Sequence, residues 1–172
     1  MAKKANKNYW VDNSLLENFK KIKREDILNQ LFGKQLKTTE NIYKEIEKSK
    51  NETTLNIEFV QDSDLKNIKY TLDTNNKLKT LSVPLLGGEK EDNSLILAAI
   101  HFGGTILSSD NEQINKARNI GIDAHGTMWI FKKSVQKKLI SYKESLNLYD
   151  QMKRLGERLP SHKEFENFLN NN

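Results

Sequence analysis

The sequence contains no cysteine in its 172 residues. That excludes disulfides, zinc–thiolate sites and a cysteine nucleophile. It also lacks any apolar run near the ~20 residues that a membrane-spanning helix needs. The opening "MAKKANKNYW" is basic and has no apolar segment of the kind a signal peptide carries. These absences together predict a cytoplasmic protein. Proline is scarce, with two in the chain, so each one marks a break. Pro84 falls in "SVPLLGG", the clearest interruption, and Pro160 precedes the last helical segment. Gly87–Gly88 are not a phosphate loop, because no Lys–Ser/Thr follows at the required spacing.

Hydrophobic residues make up 36% of the chain and charged residues 30%. A chain of this length buries roughly 70% of its extended surface, enough for a real core. The expectation is one domain over 1–172, with a basic tail at 1–7 and C-terminal helices at 141–172. Formal net charge is +5, which suits a polyanionic partner such as RNA. A solvated lysine-rich surface accounts for the same charge.

Periodicity alternates along the chain. "NYWV" (8–11) reads as a strand, and 13–33 as helix broken near Arg24–Asp26. "KQLKT" (34–38) reads as a second strand, with Thr39 capping "ENIYKEIEKS". "TLNIEFV" (54–60) alternates as a strand does. Residues 62–81 place Leu65, Ile68 and Leu72 on one helical face, with Asn75–Asn76 as a possible interruption. Then follow an apolar helix (91–104), the strand "TILSS", a helix from Asp110, a short strand "IDAH" (122–125) and further helices. This order predicts an α/β, three-layer fold with a mostly parallel sheet of about five strands.

In such sheets ligands sit beyond the carboxyl ends of the strands, where strand order reverses. Asp12 closes "NYWV" and Asp110 closes "TILSS", and a helix follows each at once. Helix capping accounts for either aspartate alone. Two at equivalent junctions point to a shared site. Glu45 lies beside the buried stripe of Ile42 and Ile46, where an acid needs a partner. Asp92 precedes an apolar helix, with Glu89 and Glu91 as close competitors for the same place. Four converging carboxylates require cations. Hard ions with oxygen ligands, Mg²⁺ or Mn²⁺, suit them, and such ions catalyse in-line attack on a phosphodiester.

These stretches resemble the PIN-domain nucleases, most closely the VapC-type toxin branch. "YWVDNSLLENF" is similar to the family's first strand, acid and hydroxyl-bearing turn. "TTENIYKEIE" resembles the helix carrying its second acid, which falls on Glu45. "EDNSLILAAIHFGGTILSSD" is similar to its longest motif and places the third and fourth acids on Asp92 and Asp110, with Ser108 as the hydroxyl two residues before the last. Asn13 stands where the family often has Thr. The resemblance implies a metal-dependent ribonuclease acting on RNA. In the toxin branch it also implies a small antitoxin partner and a homodimer. In that reading Asp12, Glu45, Asp92 and Asp110 hold Mg²⁺ or Mn²⁺, while Ser14 and Ser108 orient carboxylates. Some members are inactive, so an RNA- or protein-binding module is the alternative. A phospho-accepting signalling domain also gathers acids at strand ends, but it needs a lysine where "IDAHGT" offers His125.

Other residues have local readings. His125 reads as an ordinary loop histidine, and Thr127 as a helix cap before a phosphate contact. Trp10, Trp129 and Tyr149 read as core aromatics before base-stacking platforms. Lys132, Lys133, Lys137 and Lys138 read equally as a solvated helix end or as phosphate contacts. Leu146, Tyr149 and Leu155 are candidates for an interface.

Overall fold

Tyr9–Val11 form β1, the middle strand of a five-stranded sheet. The computed structural model describes residues 7–48, 55, 57–65, 70–74, 77–81 and 90–171, with 62–63, 70–74, 77–81 and 90–93 described in backbone alone. All three residues of β1 are buried, as befits a strand covered on both faces of a parallel sheet. Alternation sends Tyr9 and Trp10 to opposite faces. Tyr9 meets Phe32, ring centres 4.5 Å apart. Trp10 lies 5.9 Å from Phe102, and its indole N–H donates to the Gly103 carbonyl at 2.9 Å.

Helices α1 (Asn13–Lys21) and α2 (Glu25–Phe32) follow, separated as the sequence predicts near Arg24. Lys23 adopts φ +55° at this break, and the Arg24 guanidinium binds both Asp26 and Glu144. Gly33 ends α2 at φ +50°. Next come β2 (Leu36–Thr39), α3 (Glu40–Lys48) and β3 (Glu58–Val60), the last shorter than the alternation over 54–60 predicts.

The helix expected over 62–81 is not there. One helical turn, α4 (Asp62–Leu65), precedes two strands, β4 (Tyr70–Thr74) and β5 (Lys77–Leu81), paired antiparallel. "YTLDT" alternates with period two, as does "KLKT" at the start of the second strand, and two asparagines separate them. Mutual pairing satisfies both backbones, and Thr71, Thr74 and Thr80 favour strand over helix. The apolar spacing of Leu65, Ile68 and Leu72 was too sparse a stripe to outweigh that. The break "SVPLLGG" (82–88) lies outside the described residues.

The chain then forms α5 (Lys90–Phe102), β6 (Thr105–Leu107), α6 (Asn111–Asn119), β7 (Ala124–His125), α7 (Thr127–Gln136), α8 (Tyr142–Arg154) and α9 (His162–Asn170). The sheet order is β3-β2-β1-β6-β7, every pairing parallel. This is the predicted α/β fold. Helix α5 lies across β2, β1 and β6 on the Trp10 side. Among the described residues no helix is long and apolar enough to cross a membrane.

The C-terminal helices belong to the core. Tyr149 is fully buried, stacked on Phe165 at 4.0 Å and edge-on to Phe131 at 6.3 Å. It is therefore not an interface residue; of the three candidates, Leu155 is the exposed one, at 48%. Ser161 opens α9 with a capping box completed by Glu164.

Gly104 lets the chain enter β6. Its φ is +124°, and a Cβ there would lie 2.2 Å from the Asn8 carbonyl oxygen, the group that accepts from the Thr105 N–H at 2.9 Å. Gly104→Ala is expected to cost about 3 kcal/mol or more in unfolding free energy by denaturant titration. A loss under about 1 kcal/mol would show that β1 and β6 tolerate separation there.

Candidate functional site

The order of strands places a switch point between β1 and β6. The chain moves outward from β1 to β2 and β3, then returns to build β6 and β7 on the other side. Backbone bonds continue past the strand ends here. Asp12 N–H donates to the Leu107 carbonyl at 2.9 Å, and Ser108 N–H to the His125 carbonyl at 3.1 Å. On the other flank the Thr38 hydroxyl donates to the Val11 carbonyl at 3.0 Å. This edge is thus laced from β2 to β7, and Asp12 and Asp110 both project from it.

Asp12 is partly buried. The Ser14 hydroxyl donates to its Oδ2 at 2.5 Å, and the backbone N–H groups of Asn13 and Ser14 also point at the carboxylate. Those bonds favour the charged form. Burial outweighs them, and together with the nearby Asp110 charge it holds the Asp12 carboxyl above the ordinary aspartate range. The two acids therefore feel each other, as strand-end geometry predicts.

Asp110 is exposed and caps α6. Its Oδ1 accepts from the Glu112 N–H at 2.9 Å, a bond that occupies one carboxylate oxygen. Ser108, fully buried, accepts the Asp110 backbone N–H on its Oγ at 3.1 Å, so it shapes the turn that carries the acid. Among the described residues, neither Asp12 nor Asp110 forms a salt bridge.

Glu45 lies half-buried on α3, next to the buried Ile42 and Ile46. Asp92 lies in the first turn of α5; its side chain is not among those described, and Glu89 lies outside the described residues. Two residues on, the Ser94 hydroxyl meets the Thr39 hydroxyl at 2.7 Å, both fully buried. That contact ties the start of α5 to the end of β2, one strand from Asp12. Among the described residues, no three His, Asp or Glu side chains gather as a metal site. The geometry thus brings Asp12 and Asp110 together and does not add Glu45 to them.

A divalent cation fits what is described. The donors are hard oxygens with no lysine or arginine as counter-ion among the described residues, and burial disfavours the charged form of Asp12. Asp12, Asp110 and their supporting hydroxyl Ser14 would hold it.

A cavity of about 520 Å³ adjoins this edge, with Ser109 and Asn111 on its wall, the residues flanking Asp110. Arg118 and Arg158 also line it. Neither arginine carries a local signal in the sequence; α6 and the α8–α9 connection bring them together from 40 positions apart. His125 is not an ordinary loop residue. It pairs with Asp123 at 2.9 Å and stacks on Trp129 at 4.2 Å. Burial holds its imidazole below the usual histidine range, against the pull of Asp123. Thr127 does not cap α7; Gly126 is the N-cap and Thr127 the first helical residue. Trp10 is buried core, while Trp129 is partly exposed. Lys133 lies over Trp129 at 4.8 Å, and Lys132 donates to the carbonyls of Phe168 and Asn171 at the end of α9.

A family model described as a PIN domain matches residues 9–171. No curated protein and no solved structure matches the chain.

The raised Asp12 pKa has a stability consequence with a definite sign. Above its folded pKa the protein holds a charge that the unfolded chain solvates better; below about pH 3.9 the carboxyl is protonated in both states and the penalty vanishes. Asp12→Asn is therefore expected to raise the melting temperature of the metal-free protein by a few degrees at neutral pH, with no gain near pH 3. A lower melting temperature at pH 7 would show that hydrogen bonding, not burial, governs this carboxylate.

Proposed function

The chain belongs to the PIN-domain family, and from that premise we propose that it is a Mg²⁺- or Mn²⁺-dependent endoribonuclease. The observation that carries this reading is the pair Asp12–Asp110. Two acids meet at the switch point, one of them partly buried, and no described cation pairs with either. Members of the family are generally nucleases and typically use divalent metals, which supports the same reading.

A divalent ion held by these carboxylates supplies Lewis acidity and an activated water for attack on phosphorus. The chain's own residues prepare for that. Ser14 fixes the rotation of the Asp12 carboxylate through its hydroxyl. The α6 cap fixes Asp110, and Ser108 fixes the turn beneath it. Asp92 and Glu45 complete the acidic cluster in this reading, directly or through water; the Ser94–Thr39 contact, which ties the start of α5 to the end of β2, supports it. No side chain becomes covalently attached to substrate. The finer assignment, a toxin of a type II pair with a small antitoxin and a homodimeric state, rests on the resemblance of "YWVDNSLLENF" and "EDNSLILAAIHFGGTILSSD" to the VapC-type branch.

The test is cleavage of single-stranded RNA with Mn²⁺ or Mg²⁺ against the same reaction in chelator. Wild type is expected to cut only with metal. Asp12→Asn and Asp110→Asn are each expected to slow cutting on the order of a hundred-fold, about 2.7 kcal/mol of barrier. Cleavage in chelator, or full activity in both variants, would sink the mechanism. The absence of cleavage together with RNA binding would favour the non-catalytic RNA- or protein-binding module.

A further inference from the structure

The cavity beside Asp110 carries chemistry that the acid pair does not use. Helix α7 begins on its wall, with Gly126, Thr127 and Met128 all in contact with it. The first-turn N–H groups of a helix have no acceptor within it and carry its positive end. No side chain caps α7. This end lies close to the Asp110 turn: a Cβ on Gly126 would lie 3.4 Å from both the Ser108 carbonyl oxygen and Ile114 Cδ1, within van der Waals contact.

A second observation points to a ligand. Thr127 is 3% exposed and lines the cavity, yet its Oγ1 has no hydrogen-bond partner. A buried hydroxyl left unsatisfied is costly, and native structures rarely keep one without a role. An acceptor bound at the helix end would satisfy it.

A third observation gives the charge. Arg118 and Arg158 line the same cavity. Arg118 is already oriented, since its Nε and Nη2 donate to the Ala124 carbonyl at 3.0 and 2.7 Å. Helix amides, a hydroxyl and two guanidinium groups form the donor set of a phosphate site.

We propose that the start of α7, with Thr127, Arg118 and Arg158, is a subsite for a backbone phosphate of a nucleic-acid strand, next to the phosphate handled at Asp12 and Asp110. The identity of the ligand as nucleic acid rests on the nuclease reading; the anion chemistry does not. The subsite holds the backbone and reads no base. Of the aromatics at the cavity, Trp129 already stacks with His125 at 4.2 Å and Phe32 at 6.3 Å, and the Phe168 ring is covered by the Lys132 ammonium at 4.8 Å. Phosphate contacts fix register without carrying sequence information.

The experiment titrates the full chain, in chelator so that nothing is cut, with a four-nucleotide single-stranded RNA and separately with inorganic phosphate. Backbone amide shifts of residues 126–128 report the site. Both ligands are expected to move the same amides, the RNA at lower concentration. Thr127→Val and Arg158→Ala are each expected to weaken RNA binding roughly ten-fold, the worth of one hydrogen bond to a charged group. Thr127→Val should leave thermal stability unchanged or raised, because its hydroxyl has no partner to lose; if it fails to fold, the exposed Arg158 carries the test alone. Wild-type affinity in both variants overturns the subsite, and a response to inorganic phosphate without one to RNA overturns the nucleic-acid assignment. RNA binding lost in these variants, in a protein that cuts nothing with Mn²⁺, leaves the subsite standing while the nuclease reading falls.

Discussion

The parallel pairing of β1 with β6 is the constraint on which the candidate site depends. Its last bond, from the Asp12 N–H to the Leu107 carbonyl, reaches one residue beyond β1 and fixes the backbone of an acid against the strand that leads to the other. Everything upstream serves that register. Gly104 admits the chain to β6 against the Asn8 carbonyl, and Trp10 pins the preceding turn through Gly103. A slip of one residue would turn Trp10 and Val11 to the wrong faces and move Asp12 off the edge. Three-residue strands tolerate this demand because both neighbours of β1 are parallel and every side chain on it is buried.

The same edge stores unfavourable electrostatics. Capping satisfies Asp110, but Asp12 is a partly buried carboxylate facing a second one, and burial dominates its ionisation. Proteins commonly hold strain of this sort where chemistry needs it. Replacing the acid should steady the fold and disable the site, a division between stability and activity that ordinary structural aspartates do not show.

Much of this was legible in the sequence, and the reasons are local. "NYWVD" and "TILSSD" each spell strand, acid and helix within a dozen residues, so both junctions and the helix break near Arg24 could be read directly. Glu45 beside Ile42 and Ile46 was legible as a half-buried position, but its company was not, because that depends on how α3 packs. The stretch 62–81 misled because three apolar residues at helical spacing competed with two strands that each needed the other; no single-strand window shows a partner. Thr127 misled for a related reason. Its type is right for a cap, yet the helix starts one residue earlier than that reading needs, with Gly126 as N-cap and Thr127 already inside the first turn.

The cavity was illegible because its charge is assembled across the fold. Arg118 ends α6 and Arg158 lies beyond α8, and only the packing of α7 against α8 and α9 makes them neighbours of one helix end. Their placement resolves the chain's overall positive charge into something specific. A net charge of +5 attracts any polyanion, but it does not say where the strand lies. Two arginines line the cavity that adjoins the Asp110 turn, and the acid pair lies at the neighbouring strand ends: positive charge holds the strand while the carboxylates, which would repel a phosphate alone, require a cation before they can accept one. Attraction in the cavity and repulsion at the strand ends beside it give the site its polarity.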